Sequence, residues 1–135
     1  MVHPAIYIPF QFDVGRRVTI RGQMESNAFG ITLQSTADVE PRSNAPLHVA
    51  VRLVNETITR NDWCSVQGWK QEENDGGCPI TAGSFFEIQI TVNRDSYGIT
   101  VNGRHFSDFA HRQPFDMVRF IHLTEGAQVF AVVME

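Results

Sequence analysis

The stretch Phe86-Glu87-Ile88-Gln89-Ile90-Thr91-Val92 alternates apolar and polar residues without a break. Successive side chains of an extended strand point to opposite faces, so Phe86, Ile88, Ile90 and Val92 share one face, and Glu87, Gln89 and Thr91 the other. This is the pattern of a half-buried strand. Asn93-Arg94-Asp95 then reads as a turn. Tyr97–Val101 and Arg104–Phe109 flank Asn102-Gly103, two residues that accept the positive φ of a tight hairpin turn. The same alternation recurs upstream, with Val18 and Ile20 against Thr19 and Arg21, and with Leu47, Val49, Val51 and Leu53 against His48, Ala50 and Arg52. Near the C-terminus, Val129, Ala131 and Val133 are predicted to share a face. Asp75-Gly76-Gly77 is a further turn, and Asp38–Pro46 reads as a polar loop punctuated by two prolines. No window sustains helical periodicity. Many short strands between regular turns predict an all-β sandwich or barrel.

The chain has 135 residues, 42% hydrophobic and 19% charged. That size predicts one domain over residues 1–135 with a sizeable core, and no boundary, repeat or low-complexity segment divides it. The composition excludes a disordered chain, and no apolar run is long enough to span a bilayer. A formal net charge of −4 offers no basic field for nucleic acid. The opening Met1-Val2-His3-Pro4 lacks the basic and apolar regions of a signal peptide. Asn55-Glu56-Thr57 is a glycosylation sequon, informative only in a secretory chain. Most of the ten phenylalanines are expected inside the sandwich. Two cysteines, Cys64 and Cys78, cannot build a disulfide scaffold or a four-cysteine zinc site, and free thiols are expected of them. No ligand spacing suggests a metal site, and no nucleophile elbow or phosphate loop suggests an enzyme.

Binding chemistry concentrates in the middle of the chain. His48, Ala50 and Arg52 lie on one strand face, roughly 6.5–7 Å apart per step. The short connection Val54-Asn55-Glu56 predicts antiparallel pairing with the next strand, which places Asn61 on the face of Thr57 and Thr59. Trp69, flanked by Gly68, Lys70 and Gln71, reads as an exposed aromatic, with Glu72 three residues on. Trp63 stays open between core and surface. A Trp face can take the apolar C–H patch of a sugar, while imidazole, guanidinium, amide and carboxylate groups take its hydroxyls.

At this point the chain resembles the galectin carbohydrate-recognition domain, over nearly its whole length and with most similarity to nematode members. Pro46–Arg52 resembles the family's His-x-Asn-x-Arg strand, and Thr59-Arg60-Asn61 the strand ending in Asn. Trp69–Asn74 resembles the Trp-Gly-x-Glu-x-Arg segment, and Phe86–Ile90 the strand after it. Val101–Phe106 resembles the Asn-Gly hairpin, and Phe109–Pro114 the His-Arg-x-Pro segment. The resemblance implies a jelly-roll sandwich of two antiparallel sheets, of galectin and concanavalin type, with a β-galactoside site on the concave sheet. It implies no cofactor, no metal, no catalysis, no nucleic-acid partner and no membrane insertion. It also implies cytosolic synthesis with export to the extracellular space without a signal peptide.

The site it implies comprises His48, Arg52, Asn61, Trp69, Glu72 and Asn74. His48 and Arg52 would bind the axial 4-hydroxyl of galactose, and Arg52 also the ring oxygen. Asn61 and Glu72 would hold the 6-hydroxyl, Glu72 would orient Arg52, and Trp69 would stack under the ring. Selection of the axial hydroxyl is a specificity device. Arg112 and Pro114 would shape a turn. Three positions depart from the pattern: Ala50 replaces Asn, Asn74 replaces Arg, and Lys70 replaces Gly. A net hydrogen bond is worth about 0.5–1.5 kcal/mol, and one to a charged group about 1.5–3. Losing both contacts is worth roughly one to three orders of magnitude in affinity. Lys70 would then serve as a compensating donor to glycan. The alternative reading is a galectin-fold protein-interaction module that has lost lactose binding. Edge strands leave homodimerisation open.

Overall fold

The computed structural model of the chain describes residues 6–37 and 44–135. Its strands are β1 (Ile6–Pro9), β2 (Arg17–Met24), β3 (Ala28–Gln34), β4 (Ala45–Arg52), β5 (Thr57–Cys64), β6 (Gly68–Trp69), β7 (Phe85–Val92), β8 (Ser96–Val101), β9 (Arg104–Ala110), β10 (Phe120–Leu123) and β11 (Ala127–Met134). They form two antiparallel sheets, ordered β1-β10-β3-β4-β5-β6 and β11-β2-β7-β8-β9, the jelly-roll sandwich.

The alternating residues explain why the sheets stack. Val18 and Ile20 of β2 and Ile88, Ile90 and Val92 of β7 are buried on the same side as Leu47, Val49, Val51 and Ile58 of the other sheet. The Asn102-Gly103 turn is as predicted, with φ of +52° and +80°, and it joins β8 to β9.

Three expectations change. The polar loop over Asp38–Pro46 falls in part outside the described residues (38–43); within them, Ala45 and Pro46 already belong to β4. Pro46 is tolerated there because the β4–β5 register jumps between Ala45, opposite Trp63, and His48, opposite Asn61. A proline without an N–H fits at such a bulge. At the C-terminus, β11 carries a bulge at Phe130, where Val129 pairs with Gly22 and Ala131 with Arg21. One extra residue inverts the alternation. Val132 therefore packs on the core, and Val133 is partly exposed. The same bulge turns Phe130 outward, 52% exposed, beside Phe85 at 69%, with ring centroids 5.9 Å apart. The phenylalanines are thus divided: Phe10, Phe12, Phe29, Phe86 and Phe109 are buried, whereas Phe85 and Phe130 form an aromatic pair on the surface.

Candidate functional site

The face of the six-stranded sheet turned away from the core gathers the polar residues in rows. In the β4–β5 pairing, His48 stands opposite Asn61, Ala50 opposite Thr59 and Arg52 opposite Thr57. On the other side of β4, Thr32 stands opposite His48, Gly30 opposite Ala50 and Ala28 opposite Arg52. Directly paired residues point to the same side, so His48, Arg52 and Asn61 share one surface. The Thr32 hydroxyl and His48 Nδ1 share a hydrogen bond of 2.7 Å, which fixes the imidazole's orientation. The same row continues across β10 and β1, where the rings of His122 and Tyr7 stack at 4.3 Å.

Trp69 comes from β6, directly opposite Trp63 on β5. It is 45% exposed, and its ring centroid lies 5.1 Å from that of His48. Glu72 and Asn74 come from the segment after β6. That segment is held by paired backbone bonds, Arg60 N–H to Glu73 O at 2.9 Å and Glu73 N–H to Arg60 O at 2.8 Å. Glu72 and Asn74 flank Glu73 and face the same side as Arg52. Arg52 donates to Glu72 Oε2 at 3.3 Å, and Asn74 Nδ2 donates to Glu72 Oε1 at 3.3 Å. Thr59 Oγ1 donates to Asn74 Oδ1 at 2.6 Å. The carboxylate of Glu72 is therefore held from both sides. Asn61 is 3% exposed. Its Nδ2 donates to the Lys70 carbonyl at 3.1 Å, and its Oδ1 accepts from Asp62 N–H at 2.9 Å and from Arg112 at 3.2 Å.

All six predicted positions thus fall around one patch, five of them linked by hydrogen bonds or ring contact to a neighbour in it and Asn61 beneath its edge. Beside them, Gly30, Ala50, Thr124 and Glu125 line a hollow of about 250 Å³ that also touches His48 and Arg52. Among the described residues no group of three or more His, Cys, Asp or Glu could hold a metal ion, and no helix is long and apolar enough to cross a membrane.

A model of the galactoside-binding lectin family matches residues 4–134. The chain belongs to that family. It is 32% identical over 116 residues to the 32 kDa beta-galactoside-binding lectin of Caenorhabditis elegans, covering 84% of this chain and 40% of the relative. The 32 kDa beta-galactoside-binding lectin of Haemonchus contortus is 26% identical over 115 residues, with the same coverage of each. The chain therefore spans about two-fifths of the length of these relatives. The crystal structure of Caenorhabditis elegans galectin LEC-6 superimposes with a TM-score of 0.86 at 26% identity, covering 98% of this chain and 91% of that one.

Several galectin-domain neighbours of the patch were not visible in the sequence. The Lys70 ammonium lies 3.1 Å from the buried Asp62 carboxylate, and its carbonyl accepts the Asn61 bond. Asp62 is buried. Burial pushes its carboxyl upward, but hydrogen bonds from Gln113, Arg112 and Lys70 outweigh this and hold it below its ordinary value of 3.8. Arg112 does more than shape a turn. It donates to Asp62 at 2.9 Å and to Glu73 at 2.9 Å, with its guanidinium over the Phe109 ring. Its partners Asn61, Asp62 and Glu73 lie 51, 50 and 39 positions away in the chain, so no local pattern marks it. Cys64 and Cys78 are free thiols.

Proposed function

We propose that residues 1–135 form one carbohydrate-recognition domain that binds β-galactosides on the outer face of the six-stranded sheet, without metal, cofactor or catalysis. The observation that carries this reading is Glu72, held by Arg52 and Asn74 on the same face as the His48–Trp69 pair. Trp69 would take the C–H face of galactose. His48 and Arg52 would bind its axial 4-hydroxyl, and Glu72 with the remaining Asn61 N–H its 6-hydroxyl. Asn74 would contribute through Glu72, since both of its amide atoms are engaged by Thr59 and Glu72. Ala50 offers no amide, which supports weaker binding than the full family pattern would give. Family membership supports cytosolic synthesis and export without a signal peptide. A homodimer remains part of the proposal only through the edge strands β1 and β11.

A second reading, a protein-interaction module, is favoured by the missing amide at Ala50 and by the outward Phe85–Phe130 pair. Isothermal titration with lactose and N-acetyllactosamine separates the two. Binding of either at millimolar concentration or below, lost in Arg52→Ala with circular dichroism unchanged, supports the lectin. No heat with either sugar at millimolar concentration overturns it. A glycan array then reads which galactosides are preferred.

A further inference from the structure

We propose that Arg112 is a positioning residue of the glycan site: it sets the orientation of the Asn61 amide and clamps the segment carrying Glu72 and Asn74 to β5. This deepens the lectin reading and rests on it for its binding consequences.

Asn61 has one carbonyl oxygen and one amide nitrogen, and nothing in the side chain's shape favours either orientation. Its surroundings do. On the oxygen side converge two donors, Asp62 N–H at 2.9 Å and the Arg112 guanidinium at 3.2 Å. On the nitrogen side stands an acceptor, the Lys70 carbonyl at 3.1 Å. A flipped amide would face a cation with its NH2 and a carbonyl with its oxygen. Arg112 is thus the charged half of the lock that leaves one Asn61 N–H for a ligand.

Arg112 also ties the two chain segments of the site together. One guanidinium nitrogen serves Asn61 and the buried carboxylate of Asp62, both on β5. The other holds Glu73 Oε2 at 2.9 Å, and Glu73 lies between Glu72 and Asn74. The planar fork spans these partners in a fixed geometry that a lysine ammonium cannot reproduce. The Phe109 ring, 4.6 Å from the guanidinium carbon, supports the fork from below. Through this fork, the spacing between Arg52 and Asn61 on the strands and Glu72 on the loop depends on a side chain that lies outside the patch.

The consequence is selective. Loss of the fork weakens recognition of the ligand group that faces Asn61 and Glu72, the 6-hydroxyl, and leaves recognition of the 4-hydroxyl by His48 largely intact. The test uses Arg112→Lys and Asn61→Ala in the full chain, titrated with lactose, with its 6′-deoxy analogue and with cellobiose, which differs in the configuration at the 4′-position. The wild type is expected to prefer lactose over the 6′-deoxy sugar by about two- to tenfold, the worth of one hydrogen bond. Both variants are expected to lose that preference and to keep discrimination against cellobiose. Retention of the preference in Arg112→Lys, or an equal loss toward all sugars, overturns the proposal. A second readout needs no sugar. In unliganded protein, the Asn61 side-chain NH2 resonances are expected to shift in Arg112→Lys while those of Asn102 stay in place; unchanged Asn61 resonances overturn the proposal. Should the wild type bind no galactoside while those resonances do shift, the lectin reading has failed and the lock stands.

Discussion

Ala50 stands directly opposite Gly30 in the β3–β4 pairing. Two small residues side by side open the hollow beside His48 and Arg52, and neither supplies it with a polar side chain. An asparagine at position 50 would project an amide into that hollow, within reach of the ligand group that His48 and Arg52 address. Ala50→Asn is therefore expected to tighten lactose binding by about two- to tenfold, corresponding to about 0.5–1.5 kcal/mol. Titration calorimetry against the wild type measures it. Unchanged or weaker affinity would show that position 50 does not face the sugar.

The Arg52–Glu72 pair separates binding from stability. Both side chains are about two-fifths exposed, 41% and 42%, at 3.3 Å. A solvent-exposed pair of this kind contributes under about 1 kcal/mol to folding. Arg52→Ala and Glu72→Gln are expected to leave the thermal midpoint within a few degrees of wild type while Arg52→Ala abolishes detectable lactose binding. Differential scanning calorimetry alongside lactose–agarose retention reads both. A large drop in the midpoint would assign the pair a structural role instead.

How far the sequence carried these inferences depends on range. The period-two alternation of a strand and the short Val54–Glu56 connection predict His48, Arg52 and Asn61 on one face; both are local rules. The jelly roll followed from family resemblance, since alternation alone left sandwich and barrel open. The bulges at Pro46 and Phe130 were not legible, because one inserted residue looks like ordinary strand until its partner is known. Arg60 alternates onto the face of Ile58, away from Thr57, Thr59 and Asn61, and is buried there; what no local pattern shows is its partner, Asp75 at 2.7 Å. The Arg112–Asp62–Lys70 cluster was equally hidden, since its members meet only when β5, the Trp69 segment and the chain after β9 are packed together.

Asp62 is expected to set the acid limit of the fold. Its carboxyl titrates below 3.8 in the folded chain because three donors outweigh its burial. The unfolded chain therefore takes up this proton at higher pH than the folded one. The stability it contributes is complete above the unfolded value and is lost as pH falls through the folded one. The thermal midpoint should be steady between pH 7 and pH 5 (about one unit above the carboxylate range) and fall below about pH 4. Asp62→Asn should lower stability at neutral pH by about 1.5–3 kcal/mol, the worth of hydrogen bonds to a charged group, and flatten the acid fall. An acid profile identical in the variant would remove Asp62 from this role.

Trp69 and Trp63 offer an optical test of where the ligand sits. Trp63 and Trp69 stand directly opposite each other in the β5–β6 pairing, but Trp63 is half-buried whereas Trp69 is exposed and lies against His48. A sugar stacked on Trp69 displaces water from an indole that water otherwise reaches, which shifts its emission to shorter wavelength. Lactose is expected to produce that shift in wild type and in Trp63→Phe, and none in Trp69→Phe. Affinity in Trp69→Phe should survive in part, because a phenyl ring still offers an apolar face. Trp69→Ala should bind more weakly still, since ring contacts of this kind are worth about 0.5–1.5 kcal/mol beyond their buried area. A shift that follows Trp63 instead would move the ligand off the outer face between His48 and Glu72.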